Sequence, residues 1–326
     1  MSRNLTVERR RIVPFGLMLA PIIAAVGLLI ALSGAASAQE RFPTPEAAVD
    51  ALVGAAKAAD ANALLRVLGP DGRDIISSGD PVDDANSRKR FVEAYDAKHR
   101  ISKEGDDKAI LELGADDWPF PIPVVRQDGA WRFDTAAGRE ELLFRRIGRN
   151  ELNVVQAALA YVDAQQEYAE KGYAGAGLAA YAQRIVSRPG KKDGLYWPAV
   201  AGEPESPLGE FAAKAAFDGY RPGQQSIPFH GYYYKILTRQ GPAAPGGAID
   251  YVVKGNMIGG FALIAYPAEY ENSGIMTFMV NQDGVIYEKD LGPNSARIAG
   301  AITAYNPDQG WEKVVNDGVP QSGAQR

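Results

Sequence analysis

Of 326 residues, 35 are basic and 40 acidic, a formal net charge of −5, and none is cysteine. A chain without thiols forms no disulfide, no thiolate metal site and no cysteine nucleophile, and its acidic balance argues against nucleic acid and anionic membrane surfaces as partners. With only two histidines, a histidine metal cage or a serine relay would have to use His99 or His230.

The chain opens with Arg3, Arg9, Arg10 and Arg11, followed by an uncharged run from Ile12 to Leu32 and then Ala36-Ser37-Ala38 before Gln39. A basic region, an apolar region and small residues at a cleavage site are the marks of a secretory leader, with the cut expected after Ala38. The apolar run also approaches the roughly 20 residues that span a bilayer, so an uncleaved anchor over residues 12–32 is the rival expectation. Both readings place the body outside the cytoplasm, in the periplasm or beyond, with the inner membrane touched only by an uncleaved N-terminal segment. Removal of residues 1–38 leaves 31 basic against 39 acidic residues, a net charge of −8.

Thr44-Pro45-Glu46 reads as an N-cap, a first-turn proline and a first-turn acid, and the apolar stripe after it predicts a helix from Pro45 to Ala59. A second short helix over Leu64 to Leu68 stops at Gly69-Pro70-Asp71-Gly72, and a third is expected from Ser87 to Lys98 after a Gly79-Asp80-Pro81 turn. The period then changes. Ala109 to Leu113 alternates as a strand, and Ile122 to Arg126 and Ala130 to Phe133 flank the hairpin signal Asp128-Gly129.

From Glu140 to Ala169 the pattern is helical, with an expected break near Gly148, an apolar face of Leu152, Val155, Leu159 and Val162, and a solvated face that includes Tyr161 and Tyr168. Residues 172–207 form an irregular excursion with one helical turn expected at Tyr181 to Val186, and a short helix follows from Leu208 to Asp218, ended by Gly219. The remainder predicts a five-stranded antiparallel meander: Gly231 to Thr238, Ala248 to Val253, Met257 to Tyr266, Ile275 to Val280 and Val285 to Asp290. Lys254-Gly255-Asn256 and Gln282-Asp283-Gly284 supply turns. The expected class is α+β: N-terminal helices with a small antiparallel sheet, a long central helix packed on the C-terminal sheet, and a frayed tail. The expected divisions are a leader over 1–38, an N-terminal α+β domain over 39–148, the helix, excursion and sheet over 149–316, and the tail over 317–326.

Several stretches, among them FPTPEAAVDALVGAAKA, DDWPFPIPVVRQDGAWRFDTAAGREELLFRRIGRNEL, FHGYYYKILTRQGPAAPGG and SGIMTFMVNQDGVIYEKDLGP, resemble the bacterial domain-of-unknown-function family 2950, a family of exported proteins. The resemblance spans nearly the whole body and implies no activity. GDDKAILEL and QDGAWRFD after helices are similar to the nuclear-transport-factor-2-like cone, and TFMVNQDGVIYEKDLG is similar to the terminal hairpin of pilin-like proteins. Asn150 to Glu170 lacks the apolar N-terminal half of a pilin stalk, and neither fold implies a task.

His230, in Pro228-Phe229-His230-Gly231-Tyr232-Tyr233-Tyr234, is the candidate catalytic base, against the plainer role of a strand-end histidine bonded to a neighbouring loop. Asp116 and Asp117, next to Trp118, are candidate acids, against an Asx turn capping the strand. Lys191, Lys192, Tyr196 and Trp197, with Trp118, are candidate ligand-binding residues for an envelope glycan or protein. The alternative is that Tyr196 and Trp197 anchor the loop while the lysines stay in water. Asp80, Asp83 and Asp84 lack the order of a calcium loop and read as solvated helix-cap acids. The glycines around Gly241 and Gly259 read as turns or a bulge. No cofactor or metal is expected. The expectation is a non-enzymatic envelope module that recognises another envelope component, and the alternative is a periplasmic hydrolase using Asp116 or Asp117 with His230.

Overall fold

The computed structural model describes residues 39–175, 178–217, 220 and 227–314. The expected leader at 1–38, the tail from 317 and the helix stop at Gly219 lie outside the described residues. Among the described residues, no helix is long and apolar enough to cross a membrane.

Helix α1 (Pro45–Lys57) starts as its sequence dictates, with the Thr44 hydroxyl accepting the Ala47 N–H at 3.1 Å. Asp60 caps α2 (Ala61–Leu68) in the same way, and a 3-10 turn over Pro70–Gly72 leads into α3 (Arg73–Ile76), where the sequence signals only a stop. Helix α4 (Pro81–Ala97) begins before the expected Ser87. Asp80 Oδ1 accepts the N–H groups of Val82 and Asp83 and Pro81 takes the first helical position, so Gly79-Asp80-Pro81 is a helix start rather than a turn.

Strands β1 (His99–Lys103), β2 (Lys108–Leu113), β3 (Trp118–Pro119), β4 (Val124–Gln127) and β5 (Ala130–Phe133) form an antiparallel sheet in the order β1-β2-β4-β5, with β3 paired to β2. The polar β1 gave no apolar alternation to detect. Asp128 and Gly129, at φ +51° and +78°, close the expected β4–β5 hairpin. Leu52, Val67, Leu111, Ile122 and Phe133 build the cluster between this sheet and α1 and α2.

Helix α5 (Thr135–Glu170) runs for 36 residues without a break. Gly148 sits inside it with open space where a Cβ would stand, so no packing demand turns its flexibility into a kink. Val155 and Val162 are buried as expected, but the face reading is corrected at three positions. Tyr161 and Tyr168 are buried rather than solvated, their hydroxyls donating to the carbonyls of Ala262 (3.2 Å) and Lys192 (2.8 Å). Leu152 is 69 % exposed. At about 100° per residue it lies nearly opposite the stripe of Val154, Ala158, Tyr161 and Gln165 that meets the core.

The excursion contains no helical turn at Tyr181 to Val186. Tyr181 instead bridges Met257 and Val186 bridges Tyr196, and the Gln165 side chain bonds both the N–H and the C=O of Ala182. Helix α6 (Gly209–Phe217) follows. Beyond it come β6 (Tyr232–Leu237), β7 (Arg239–Gln240), β8 (Ile249–Asp250), β9 (Val252–Val253), β10 (Asn256–Met257), β11 (Ala262–Pro267), β12 (Met276–Asn281), β13 (Tyr287–Asp290), α7 (Ser295–Ala301) and β14 (Glu312–Lys313).

The C-terminal sheet is antiparallel and five-stranded, as expected, in the order β14-β13-β12-β11-β6. Its membership is corrected: Ala248 to Val253 leaves the sheet for the side ribbons β7–β8 and β9–β10, and β14 takes the fifth place. The segment divides at Tyr251, which is fully buried and donates its hydroxyl to Gln240 Oε1 at 2.7 Å. Helix α5 covers one sheet face, where Glu151 accepts the N–H groups of Ile275 and Met276, both at 3.0 Å. Helix α7 covers the other, and Lys235 Nζ donates to the carbonyls of Ala299, Gly300 and Ile302 at its end. A sheet covered on both faces explains the nearly continuous apolar run of β11.

Candidate functional site

The string Pro228-Phe229-His230-Gly231-Tyr232 folds into a two-residue hairpin turn. Phe229 and Tyr232 exchange both backbone hydrogen bonds (2.8 and 3.2 Å), with His230 at φ +50° and Gly231 at φ +75°. A left-handed histidine costs roughly 1–2 kcal/mol, and the surroundings offset it. Asp80 Oδ2 accepts the Gly231 N–H at 2.8 Å and the Tyr220 hydroxyl at 2.8 Å, and that hydroxyl accepts the His230 N–H at 3.2 Å. Asp80 is 0 % exposed. Burial, and then Asp80 itself, push the Tyr220 phenol far above its ordinary pKa, so it remains a donor across physiological pH.

Around this pin lies a buried polar seam. Arg146 donates to the backbone carbonyls of Asp74 and Ile75 and to Asn272 Oδ1, the last at 2.6 Å. Burial lowers its pKa, opposed by the nearby Asp84 and Asp83. Asp83 pairs with Arg149 at 2.9 Å. Burial raises the Asp84 carboxyl, against hydrogen bonds from the Ser78 N–H and hydroxyl. The expectation of solvated caps is therefore corrected: Asp80 and Asp83 are buried and Asp84 is half-buried, because α5 and the loop before β12 cover the start of α4. Among the described residues, no group of three or more His, Cys, Asp or Glu side chains could hold a metal ion.

Past the turn, an open cleft of ≈ 840 Å³ runs along β6 between β11, α5, α6 and the excursion. Its walls are aromatic. Tyr233 faces Tyr266 with ring centroids at 5.8 Å, Phe229 faces Tyr234 at 6.2 Å, and Phe211 meets Phe229 edge-on at 5.5 Å. The Tyr234 hydroxyl is buried without a hydrogen-bond partner among the described residues. Its pKa is raised by burial and then by Asp80. Arg184 and Lys235 are the charged residues of the described lining, and no carboxylate or imidazole takes part in it.

The residues singled out from sequence fall in three places. Asp116 is exposed, and Asp117, at φ +52° in the turn before β3, pairs with Lys98 at 2.8 Å, which lowers its carboxyl pKa. Trp118 packs against the N-terminal cluster under the Arg145 guanidinium, 5.2 Å from its ring centroid. The His230 ring lies tilted against Phe229 (centroids 4.2 Å apart) and edge-on to Tyr220 (5.1 Å), beside the cleft residues at the β6 turn. In the excursion, Trp197 is buried edge-on to Tyr173, Lys192 pairs with Glu203 at 2.8 Å, Lys191 is exposed, and Tyr196 lines the cleft. Sequence reasoning missed Asp80, Tyr220, Tyr233, Tyr234, Tyr266 and Arg184 as parts of one site. The detectable signal was the His-Gly pair between aromatic runs, a turn signature of the same kind as Asp-Gly.

The family model described as Protein of unknown function (DUF2950) matches residues 39–314, and the chain belongs to that family. Comparisons with the curated proteins and with the solved structures find no match.

Proposed function

We propose that this family member is an exported, non-enzymatic binding module that takes a component of the cell envelope, protein or glycan, into the cleft along β6. The arginine-led apolar leader with its Ala36-Ser37-Ala38 site supports export. The observation that carries the binding reading is the cleft itself: a concave, aromatic-walled space of ≈ 840 Å³ in which Gln183, Arg184, Lys235 and several tyrosines add polar groups to an apolar lining. Acid or base chemistry needs a group that exchanges a proton near working pH. The phenols of Tyr161, Tyr220, Tyr232 and Tyr234 are instead held protonated, in each case by burial first.

The test is site-specific photo-crosslinking of the full chain in its own cell. A benzophenone side chain in place of Tyr233 or Tyr266 is expected to capture an envelope component, and one in place of the exposed Phe144 to capture none. The reading is overturned if neither cleft position gives an adduct. It is equally overturned by a hydrolytic activity that disappears in His230→Ala at unchanged Tm. Mass spectrometry of the N-terminus tests export: a chain starting at Gln39, or one starting at Met1 in the membrane, supports it, and an intact chain free in the cytosol overturns it.

A further inference from the structure

Among the described residues, strand β6 stands at the margin of its sheet and pairs with β11 alone. Two hydrogen-bond patterns show which of its backbone groups look outward. The Gly231 carbonyl accepts from Ala268 N–H on the β11 side at 2.9 Å, whereas Tyr232 donates its N–H to the Phe229 carbonyl and accepts the Phe229 N–H, away from β11. Alternation along an antiparallel ladder then turns the N–H and C=O of Tyr234 and Ile236 outward as well. The next outward carbonyl, that of Thr238, is taken by Tyr251 N–H at 2.9 Å. Between these two closed ends, the outward groups of Tyr234 and Ile236 have no backbone partner among the described residues, and both residues line the cleft.

The cleft wraps this margin from both sides. Tyr233, Lys235 and Tyr266 line it from the α7 face, and Tyr234, Ile236 and Leu263 from the α5 face. An added strand would thus find a wall for each of its alternating sets of side chains. Among the described residues the charged lining is cationic, and Lys235 already serves three carbonyls, so of the two described cations Arg184 is the one placed to meet a ligand charge.

The geometry points to one occupant, resting on the binding reading above: an extended acidic peptide that joins β6 as a further strand, its backbone bonded to Tyr234 and Ile236 and a carboxylate facing Arg184. Strand addition of this kind draws affinity from main-chain hydrogen bonds and selectivity from side-chain pockets. A sugar could stack on the rings, but it does not repeat a donor and an acceptor at two-residue spacing.

The probe is a random display library of heptapeptides selected on the full chain, and the selected peptide is resynthesised with N-methyl groups on one or the other alternate set of amides. Selected sequences are expected to alternate apolar residues and to contain Asp or Glu. The bound peptide is expected to slow amide exchange at Tyr234 and Ile236 by about tenfold or more. One N-methylated set is expected to weaken binding by about tenfold or more while the other set binds nearly as before. Arg184→Glu, a surface change, is expected to shift selection toward Lys and Arg. The inference is overturned if no peptide is selected, if a peptide binds without slowing those two amides, or if Arg184→Glu leaves the preference acidic. It is also overturned if the amides are already protected in the free protein. Capture of an envelope glycan at Tyr233 or Tyr266, with nothing selected from the library, would sink the peptide assignment and leave the binding reading standing.

Discussion

Asp80 and Gly231, 151 positions apart in sequence, are joined by a 2.8 Å hydrogen bond from the glycine N–H to the aspartate carboxylate. The same carboxylate caps α4 through its other oxygen. One buried side chain therefore sets both the start of a helix in the N-terminal half and the turn that launches β6.

Asp80→Ala is expected to cost about 3 kcal/mol or more, as the sum of a lost cap and unsatisfied buried donors. Tyr220→Phe, which removes a single hydroxyl, is expected to cost about 1–2 kcal/mol. Denaturant unfolding of the two single variants and the double variant should show coupling above about 0.5 kcal/mol. Strict additivity would show that the tyrosine and the aspartate act independently.

Arg146 has its guanidinium committed to three oxygen acceptors away from water. Arg146→Ala strands those acceptors and removes the buried positive charge nearest Asp84, while Asp83 keeps Arg149, for an expected loss of about 3–5 kcal/mol. Arg146→Lys keeps the charge but not the planar fork and is expected to recover only part of that loss. Full recovery in a urea titration would reduce the role of Arg146 to simple charge.

Two glycines of α5 should respond in opposite directions to the same change. A Cβ at Gly138 would stand 2.5 Å from the Pro121 carbonyl oxygen, so Gly138→Ala is expected to destabilise by about 1–3 kcal/mol despite the better helix propensity of alanine. Gly148 has nothing within 4 Å of that position, and Gly148→Ala is expected to stabilise by about 1 kcal/mol, read as a higher Tm.

Glu288 has its carboxyl pKa raised from the ordinary 4.5 by burial, then by Glu151 and Glu312. An acid raised on folding costs nothing below its unfolded pKa, loses stability as pH rises through the folded value, and stays penalised above it. Glu288→Gln is therefore expected to raise Tm at pH 7 and to leave it nearly unchanged at pH 3.5, where both forms are neutral. Equal shifts at the two pH values would place the effect in packing rather than charge.

What the residues revealed in advance follows physical range. The N-cap and proline of α1, the Asp-Gly hairpin and the Lys254-Gly255 turn are local events, and they form as read. The solvated reading of Tyr161 failed because its partner, the Ala262 carbonyl, lies 101 positions away, and periodicity cannot see a hydroxyl acceptor at that distance. Asp80 was legible as a cap but not as a cross-link, since nothing near it in sequence announces Gly231. The cleft stayed hidden for a related reason: its walls come from β6, β11, α6 and the excursion, and only Tyr196 and the stretch around His230 had drawn notice.

Helix α5 serves both hydrophobic clusters, with Leu142 leaning on the first and Val154 through Tyr168 building the second. Its 36 residues span about 54 Å with no joint between. Loosening either cluster strips support from a hydrogen-bond ladder on which the other stands. Heat should take both halves apart in a single calorimetric peak, and a protease should find no early nick between Thr135 and Glu170.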